Sequence, residues 1–478
     1  MLVSCLLPTD AAGNRSSVAF IPMSDLSDTA RLVRAGVDAR LAQVLQERRA
    51  RYEDLGEAAT ELLDAAEVLL KGGKRMRALL AGLGIALDSH GPARTALLSS
   101  PLVASAGAAL ELYQASALVH DDVIDAALTR RGEPAAHRRL AQVHRDHGWL
   151  TEPLTFGTSG AILLGDLLLS ACGEEMGHAV TEVGVSPAAA TAARQAFDRM
   201  TSEVAVGQYL DLRSEVVPLP GPEENPVEAG QTMHRNALGV VRRKSARYSV
   251  MYPLLIGALL AGVDPDCALA ARLAQFGEEV GIAFQLRDDL LGVLGDPQVT
   301  GKPVGDDLRE GKRTVLLALT WQRAGQEGRE LLRSVLANRE ASSQDIAQAC
   351  SLMRQCGAVQ AHEEEITAHL EAAHAALDRV PDAELPEPSR EALIQVAQAL
   401  GTRQASGPAP RSPSTAASHA PRRFKPIAPS HRRLAAWSQI PSSVAWSTLA
   451  TRSSTVLRVE GWPPSTSPVT GVWTGASR

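Results

Sequence analysis

Acidic and basic side chains follow one another closely between residues 110 and 137. Asp121 and Asp125 lie four residues apart at the end of an apolar helical pattern, so they share one face of a helix. Two like charges at that spacing repel each other, which indicates that a cation is held between them. Arg130 and Arg131 follow soon after, so we expect an anionic group beside that cation. These residue types fit magnesium bound to a diphosphate.

A second acidic pair strengthens this interpretation, because an acidic cluster alone is also typical of a solvated helix face. Asp288 and Asp289 end another apolar helical pattern, 167 residues after Asp121. A glycine-rich loop follows them and carries Lys302, and then Lys312. Glycines permit an irregular exposed turn, and lysines bind phosphate oxygens. Helix capping and turn formation explain the glycines but not the repeated aspartates.

Three further segments carry polar side chains that suit a phosphate ligand. The segment GGKRMR, residues 72–77, has two glycines that allow close backbone approach and places Lys74 and Arg77 three residues apart. The other two segments are EVAVGQYLD, with Gln208 and Asp211, and VVRRKSARYS, with Lys244. Each segment alone is also compatible with an ordinary helix face or a basic first turn.

The ordered set of segments resembles trans-type polyprenyl diphosphate synthases over roughly residues 28–403. GGKRMR, DDVID with RRG, GQYLD, KS, and FQLRDD with GKPVGDDLREGK occur here in the family's order. The resemblance implies an all-α fold, a bundle of mostly antiparallel helices around a central cavity, and a homodimer. It also implies a head-to-tail condensation of isopentenyl diphosphate with an allylic diphosphate (dimethylallyl, geranyl or farnesyl). Three magnesium ions would serve each site.

The resemblance assigns roles by position. Magnesium would be held, directly or through water, by Asp121, Asp122, Asp125, Asp288 and Asp289. The allylic diphosphate would be bound by Arg130, Lys244, Gln285 and Lys302, with Ser245 beside the developing carbocation. Isopentenyl diphosphate would be bound by Gly73, Lys74, Arg77, Gln114 and Arg131. In the family the released diphosphate takes the final proton, which is consistent with the lack of a catalytic triad in the sequence.

Two positions depart from the family pattern. Gly292 stands where many relatives have a third aspartate in the second acidic motif, so one group that binds metal or bridging water is missing. We expect weakened metal binding at most, because Asp296 and the pair Asp306–Asp307 lie nearby in the sequence. Ala78 replaces the proline that often ends the first basic motif, a change that we expect to be minor.

The helix that carries the first acidic motif is also expected to set product length. In the family, aromatic residues four or five positions before the first aspartate close the cavity at C15, and here those positions hold the small residues Ala117 and Ser116. Tyr113 lies three residues further from the site, about 4.5 Å along a helix axis. A floor at Tyr113 predicts a C20 product, geranylgeranyl diphosphate. If Tyr113 instead packs against a neighbouring helix, the cavity is deeper and the product is C25 or longer.

Composition sets the wider limits. The net charge of −6 divides into +8 for residues 404–478 and −14 for the rest, and an acidic body argues against nucleic-acid binding. We expect residues 1–27 to be irregular, with Met23 as an alternative start, and residues 404–478 to be a disordered basic tail rich in proline and serine. Five scattered cysteines predict a cytoplasmic protein without disulfides. No apolar run of membrane-spanning length is evident, so no transmembrane helix is expected.

Two other functions fit parts of the sequence. A terpene cyclase shares the helical bundle and the first acidic motif, but usually carries Asn, Ser and Glu in its second metal motif. This chain has DDLLG there, and GGKRMR with Arg131 would serve a second diphosphate that a cyclase does not use. A noncatalytic subunit of a heteromeric synthase typically loses aspartates from one motif, whereas both acidic pairs remain here. Condensation is therefore favoured.

Overall fold

The computed structural model describes residues 24–295 and 304–402, which lie within one compact unit, Met1–Arg411. These residues form helices apart from one hairpin of two-residue strands, β1 (Thr129–Arg130) and β2 (Glu133–Pro134). The helices before the hairpin are α1 (Ser24–Arg51), a 3₁₀ turn (Glu53–Leu55), α2 (Glu57–Leu70), α3 (Met76–Ile85), α4 (Gly91–Leu98) and α5 (Pro101–Ile124). The predicted all-α class is confirmed.

The helices after the hairpin complete the bundle. They are α6 (Ala136–Asp146), α7 (Pro153–Thr181), α8 (Pro187–Val216), α9 (Pro226–Val240), a π-helix (Val241–Met251), α10 (Tyr252–Leu260), α11 (Ala268–Leu294), α12 (Asp306–Glu310), α13 (Val315–Arg323), α14 (Gln326–Val335), α15 (Ser343–Gln355), α16 (Ala358–Asp378) and α17 (Glu387–Gly401). Lys302 and Asp296 lie outside the described residues, as do residues 1–23 and the whole expected tail, 404–478. The expected irregular start, 1–27, was wrong for residues 24–27, which form the first turn of α1.

Three clusters of buried apolar side chains hold the bundle together. The first joins α1, α2, α3, α5, α7 and α8, and it includes Leu110 and Leu164. The second joins α9, α11, α13, α15 and α16 around Trp321. The third, around Phe276, ties α3 and α10 to α11, α16 and α17. Each fully buried leucine or phenylalanine contributes about 1.5–3 kcal/mol relative to an exposed one, so α5 and α11 are fixed on several sides.

Apolar periodicity in the sequence predicts a helix over residues 97–124, and a proline- and glutamate-bearing stretch predicts a solvent loop over 214–236. The structure differs from both for local reasons. The expected helix 97–124 is broken, because Ser100 caps α5 by accepting a hydrogen bond from the Val103 amide and Pro101 follows as the first helical residue. The expected solvent loop 214–236 is shorter than predicted. Asn225 caps α9 in the same way, with Pro226 next, so the loop covers only 217–225. The sequence patterns also missed α6, whose many charged residues disguise its apolar face.

The π-helix lies on three glycines of neighbouring helices. A methyl group on Gly207 of α8 would come within 2.4 Å of the Lys244 amide nitrogen, and one on Gly281 of α11 within 2.4 Å of the Ala246 carbonyl oxygen. Gly277 approaches the Met251 backbone in the same manner. Wide π-turns are uncommon and frequently mark functional sites. Here the absence of side chains at three positions lets α8 and α11 contact this wide backbone directly.

Two described helices, α5 and α7, have the length and composition of a membrane span. In α5 the apolar window is 72% buried inside the protein, so its hydropathy reflects a core helix. In α7 only 33% of the window is buried. Its exposed apolar side chains, among them Phe156, Ile162, Leu163 and Leu169, form an uncovered face, which we call the α7 face.

Candidate active site

The first acidic motif lines a cavity of about 500 Å³ in the middle of the bundle. Gln114, Ala117, Leu118, Asp121 and Asp125 all lie on its wall. Their spacing of three and four residues puts them on one face of α5. The buried opposite faces of α5 pack against α1, α3 and α7. The core thus holds one face of α5, which carries both polar and apolar side chains, toward the cavity.

The second acidic motif lines the same cavity from α11. Gln285, Asp288, Asp289 and Gly292 are on the wall, again at spacings of three and four residues. The side-chain amide of Gln285 donates a hydrogen bond to Asp289 at 2.7 Å, which orients that carboxylate. Burial raises the pKa of Asp289 well above its ordinary value, and the neighbouring Asp307 and Asp288 add to the effect. The surroundings of Asp289 therefore disfavour its charged form, which a bound cation would stabilise.

Asp121 and Asp125 differ in their electrostatic surroundings. Burial raises the pKa of Asp121, but Lys244, Lys312 and Arg130 outweigh it and hold that pKa below the usual value. The pKa of Asp125 rises to about 6, because the carboxyl is partly buried and faces Asp121. A divalent cation beside Asp125 would remove that penalty. The donor set therefore suits magnesium, which prefers carboxylate and phosphate oxygens.

The cavity aspartates are not a closed cage for one ion. Within the ranges 24–295 and 304–402, the only three metal-ligating side chains whose donor atoms all lie within 4.8 Å of one another are Glu57, Glu61 and His147, on the surface. Magnesium often keeps several waters and is held by one or two carboxylates together with substrate phosphates. A more open arrangement of aspartates in the cavity fits that mode of binding.

Lys244 projects from the π-helix and connects the first acidic motif to α8. Its ammonium nitrogen lies 2.5 Å from Asp211 and 3.4 Å from Asp121. Burial lowers the pKa of Lys244, but these two carboxylates outweigh it and raise that pKa overall, so the side chain stays charged. Gln208 of α8 donates to the same Asp121 at 3.1 Å. Ser245, the next residue, also lines the cavity.

The basic segment before α3 contributes to the wall of the same cavity. Lys74 and Arg77 are on the wall. Arg77 donates to the Ser249 hydroxyl at 2.7 Å and stacks 4.2 Å from the Tyr248 ring centre. Among the described residues, no carboxylate oxygen lies within 4.0 Å of a charged nitrogen of either cation. Gln114 accepts a hydrogen bond from the Tyr248 hydroxyl. This side of the cavity therefore offers uncompensated positive charge.

Gly73 and Arg131 meet beside that segment. A methyl group on Gly73, which has φ of 92°, would lie 3.5 Å from the Arg131 guanidinium. Burial lowers the pKa of Arg131, and the positive charge of Arg75 lowers it further. Gly73 and Arg131 are not part of the cavity wall itself but stand at its edge. Arg131, close to Gly73 and beside other cations, is a suitable group to bind a diphosphate.

Asp122 is placed differently from the expected metal ligand. It is fully buried and absent from the cavity wall, because successive helical residues point about 100° apart. One of its oxygens accepts hydrogen bonds from Arg130, with the Nε atom at 2.9 Å. Arg130 itself lines the cavity, with its guanidinium 3.6 Å from Asp121. The geometry therefore gives Asp122 the task of holding Arg130 in position.

The three residues expected to set product length occupy three different environments. Ala117 lines the cavity. Ser116 does not, because its hydroxyl donates to the Gly165 carbonyl of α7 at 2.8 Å. Tyr113 is buried, donates to the Thr201 carbonyl of α8 at 3.1 Å, and lies edge-on to Tyr248 with ring centres 5.9 Å apart. Tyr248 lines the cavity, whereas Tyr113 packs against Tyr248 and is not on the wall.

Sequence reasoning missed Arg75, which supports the basic segment. Its backbone is left-handed, with φ of 52°, an uncommon conformation for a residue with a long side chain. Its guanidinium is buried and contacts Asp38 of α1 at 2.7 Å and Glu111 of α5 at 3.3 Å. These ion pairs hold the turn that presents Lys74. Nothing in the sequence distinguishes Arg75, whose side chain points into the protein, from Lys74 and Arg77, which line the cavity.

Known proteins are similar to this chain in sequence and architecture. Residues 59–353 match the polyprenyl synthetase family. The chain is 32% identical to geranylfarnesyl diphosphate synthase of Aeropyrum pernix over 66% of this chain and 87% of that protein. It is 30% identical to geranylgeranyl diphosphate synthase of Sulfolobus acidocaldarius over 59% of this chain and 73% of that protein.

A solved structure is similar over most of the described region. It is geranylgeranyl pyrophosphate synthase from Corynebacterium glutamicum, complexed with isoprenyl diphosphate and magnesium. The TM-score is 0.68 at 37% sequence identity, and the match covers 80% of this chain and all of that one. The two acidic motifs and two groups of cations around one cavity agree with this similarity. The chain belongs to the polyprenyl synthetase family and is a prenyl diphosphate synthase.

Proposed function

We propose that the enzyme condenses isopentenyl diphosphate with an allylic diphosphate, and that its main product is C20 geranylgeranyl diphosphate. The observation that carries this proposal is the single cavity lined by both acidic motifs and by two separate groups of cations. The allylic diphosphate would bind through magnesium and cationic side chains, and isopentenyl diphosphate through cationic side chains alone. Two groups of cations therefore suit two diphosphate substrates. The relative from Sulfolobus acidocaldarius is also named for the C20 product.

The side of the cavity with Arg130 and Lys244 is assigned to the allylic diphosphate. Asp121, Asp125 and Asp288 would hold the metal there, with Asp289 behind them and three ions in all. Bound magnesium supplies charge that stabilises the departing diphosphate. Arg130 is already oriented by Asp122, and Lys244 by Asp211. Their cations add to that stabilisation without having to reorganise.

The carbons react in the apolar part of the cavity below these charges. Ser245 lies on the wall beside Lys244, where its hydroxyl dipole would face the allylic cation. Ala117, Leu118 and Val204 offer that cation no nucleophile, so the isopentenyl double bond is the group available to attack it. The released diphosphate is then positioned to take the proton, since no other base is needed.

The part of the cavity beside the basic segment is assigned to isopentenyl diphosphate. Lys74 and Arg77 line it and have no carboxylate ion pair among the described residues, and Gly73 with Arg131 stands at its edge. Gln114 completes the set. Because these cations are not neutralised by aspartates, they can bind a diphosphate directly. Lys302 remains an expected ligand of the allylic diphosphate from outside the described residues.

Product length is assigned to the base of the cavity. Ala117 leaves the upper wall open, and Tyr113 stands behind Tyr248, fixed by its hydrogen bond to α8. We infer that this pair of rings stops the growing chain at C20. The relative from Aeropyrum pernix is named for a C25 product, so the same scaffold accommodates longer chains.

We also propose that two copies pair through the α7 face. Leu163 is 61% exposed and Ile162 43%, and a contiguous apolar surface of this kind is typical of subunit interfaces. Light scattering should give the mass of a dimer, and Leu163→Glu should give a monomer.

The four described cysteines are unpaired, which is consistent with the cytoplasmic location that we expect.

One assay tests the whole proposal. Purified protein is incubated with magnesium, isopentenyl diphosphate and each allylic primer in turn, and the released diphosphate is measured. Products are dephosphorylated and sized by chromatography. Release that requires both substrates, with a C20 product, supports the proposal. Release from the allylic substrate alone would indicate a cyclase, and no release with any primer would favour a noncatalytic subunit.

A further inference from the structure

The second acidic motif has a glycine where a third carboxylate would complete it, and another residue fills that space. Gly292 follows Asp288 by four residues, so a side chain there would share its face of α11. A β-carbon placed on Gly292 would lie 2.0 Å from Oδ2 of Asp307, 2.6 Å from Cγ and 3.1 Å from Oδ1. Contacts under 3.0 Å essentially never occur for real β-carbons. The Asp307 carboxylate therefore occupies the place that a side chain at 292 would need.

The turn that presents Asp307 is fixed at both ends. Gly305, with φ of 71°, precedes α12 and donates a backbone hydrogen bond to Val293 of α11 at 3.2 Å. Gly311, with φ of 89°, follows α12 and donates to the Asp307 carbonyl at 3.1 Å. Leu308 is buried in the second apolar cluster. Since both ends and the neighbouring side chain are anchored, the carboxylate is held against α11.

We propose that Asp307 supplies the third carboxylate of the second metal motif, in the space that Gly292 leaves open. The proposal rests on the proposed function. Asp288, Asp289, Gly292 and Asp307 all line the cavity. The second acidic motif is thus completed by a carboxylate from α12 and has three carboxylates in all. Asp306, the adjacent acid in the first turn of α12, is not on the cavity wall.

A simpler role for Asp307 is to pair with Lys312. Their charged atoms are 3.8 Å apart, whereas Lys312 lies 2.9 Å from Glu310. Asp307 and Glu310 both raise the pKa of Lys312, and Glu310 is the closer of the two, so Asp307 is not the only carboxylate that pairs with this lysine. An ion-pair role would also place no requirement on residue 292, yet the contact with Gly292 excludes any side chain there. Binding of the metal by Asp307 explains both the position of this carboxylate and the presence of glycine at position 292.

The test is a cycle of variants measured by metal binding. Manganese(II) is titrated into the full-length protein with inorganic diphosphate present, and free Mn²⁺ is counted by electron paramagnetic resonance. Asp307→Ala and Asp307→Asn should weaken the affinity for at least one ion by about 10-fold or more. Gly292→Asp should also weaken it, because two carboxylates then compete for one space. Asp306→Asn, the matched control, should bind like wild type.

The double variant Gly292→Asp/Asp307→Ala is decisive. It removes the three atoms that crowd position 292 and returns a carboxylate to the same region, so binding should recover to within about threefold of wild type. Wild-type affinity in Asp307→Asn would overturn the inference, as would a folded double variant that binds no better than Gly292→Asp. If wild type binds metal and forms product while these outcomes occur, only the inference fails. If wild type neither binds metal nor forms product, the proposed function fails with it.

Discussion

A single methyl group on Gly207 should disable the enzyme without unfolding it. Gly207 lies in α8 against the π-helix, and an alanine β-carbon would lie 2.4 Å from the Lys244 nitrogen, 2.6 Å from the Arg243 carbonyl carbon and 2.7 Å from the Lys244 α-carbon. Ordinary contact begins at 3.4 Å. All three atoms belong to the backbone, so a change of side-chain rotamer cannot relieve the clash. The backbone of the π-helix must therefore move by about 1 Å.

That movement shifts Lys244 and Ser245 relative to the acidic motifs. A misplacement of about 1 Å can lower a rate by about 100-fold, equivalent to about 2.7 kcal/mol of transition-state stabilisation. We therefore expect Gly207→Ala to lower kcat/KM by about that factor, with most of the effect in kcat, since Lys244 would assist departure of the diphosphate. Overpacking should also lower the free energy of unfolding by about 1–3 kcal/mol.

The assay is diphosphate release at saturating isopentenyl diphosphate with a varied allylic primer, alongside thermal unfolding followed by circular dichroism. Gly239→Ala is the matched control, because this glycine lies in α9 just before the π-helix and a methyl group there meets only the Arg243 guanidinium at 3.8 Å. It should keep wild-type kinetics. Wild-type kcat/KM in Gly207→Ala would refute the argument that this close backbone contact positions Lys244.

Three other substitutions test separate parts of the site. Tyr113→Ala should shift the product from C20 toward C25 and longer chains, as measured by chromatography; an unchanged product distribution would remove Tyr113 from the floor. Asp122→Asn should lower kcat by about 10-fold or more, because Arg130 loses its charged partner, and wild-type kcat would show that Arg130 holds its position unaided. Asp125→Asn should raise the melting temperature of the ligand-free protein at pH 7, since the pKa of Asp125 is raised to about 6 and ionisation above that pH costs stability. The gain should disappear below about pH 4, where Asp125 is protonated in both folded and unfolded states, and a pH-independent gain would contradict the assignment.

Much of the site could be predicted from sequence because its residues repeat at helical spacing. Asp121 and Asp125 lie four residues apart, and Asp288 continues the spacing from Gln285, so each set had to share a helix face. The structure brings both faces to one cavity. Spacing alone does not show where the side chain of Asp122 points. Asp122 adjoins Asp121 in the sequence, but its carboxylate is buried and accepts a hydrogen bond from Arg130.

Other features depend on contacts between distant segments. Nothing in the sequence around 241–251 indicates a π-helix, because its width is permitted by glycines on α8 and α11. Ser116 looked like a small cavity residue, but a carbonyl of α7 accepts its hydrogen bond. Gly292 looked like a missing ligand until Asp307 was found in the same space. In each case the deciding neighbour lies on another helix, where local patterns carry no information.

The ion pair between Arg75 and Asp38 has a practical consequence for defining the functional unit. The family match begins at residue 59, so trimming the protein to that match would remove α1. The buried Arg75 would then lose the 2.7 Å partner that helps hold its left-handed turn. Such a truncated enzyme should bind isopentenyl diphosphate poorly although every residue of the five motifs is present. We therefore expect the minimal catalytic unit to be longer than the stretch that matches the family and to include the first helix.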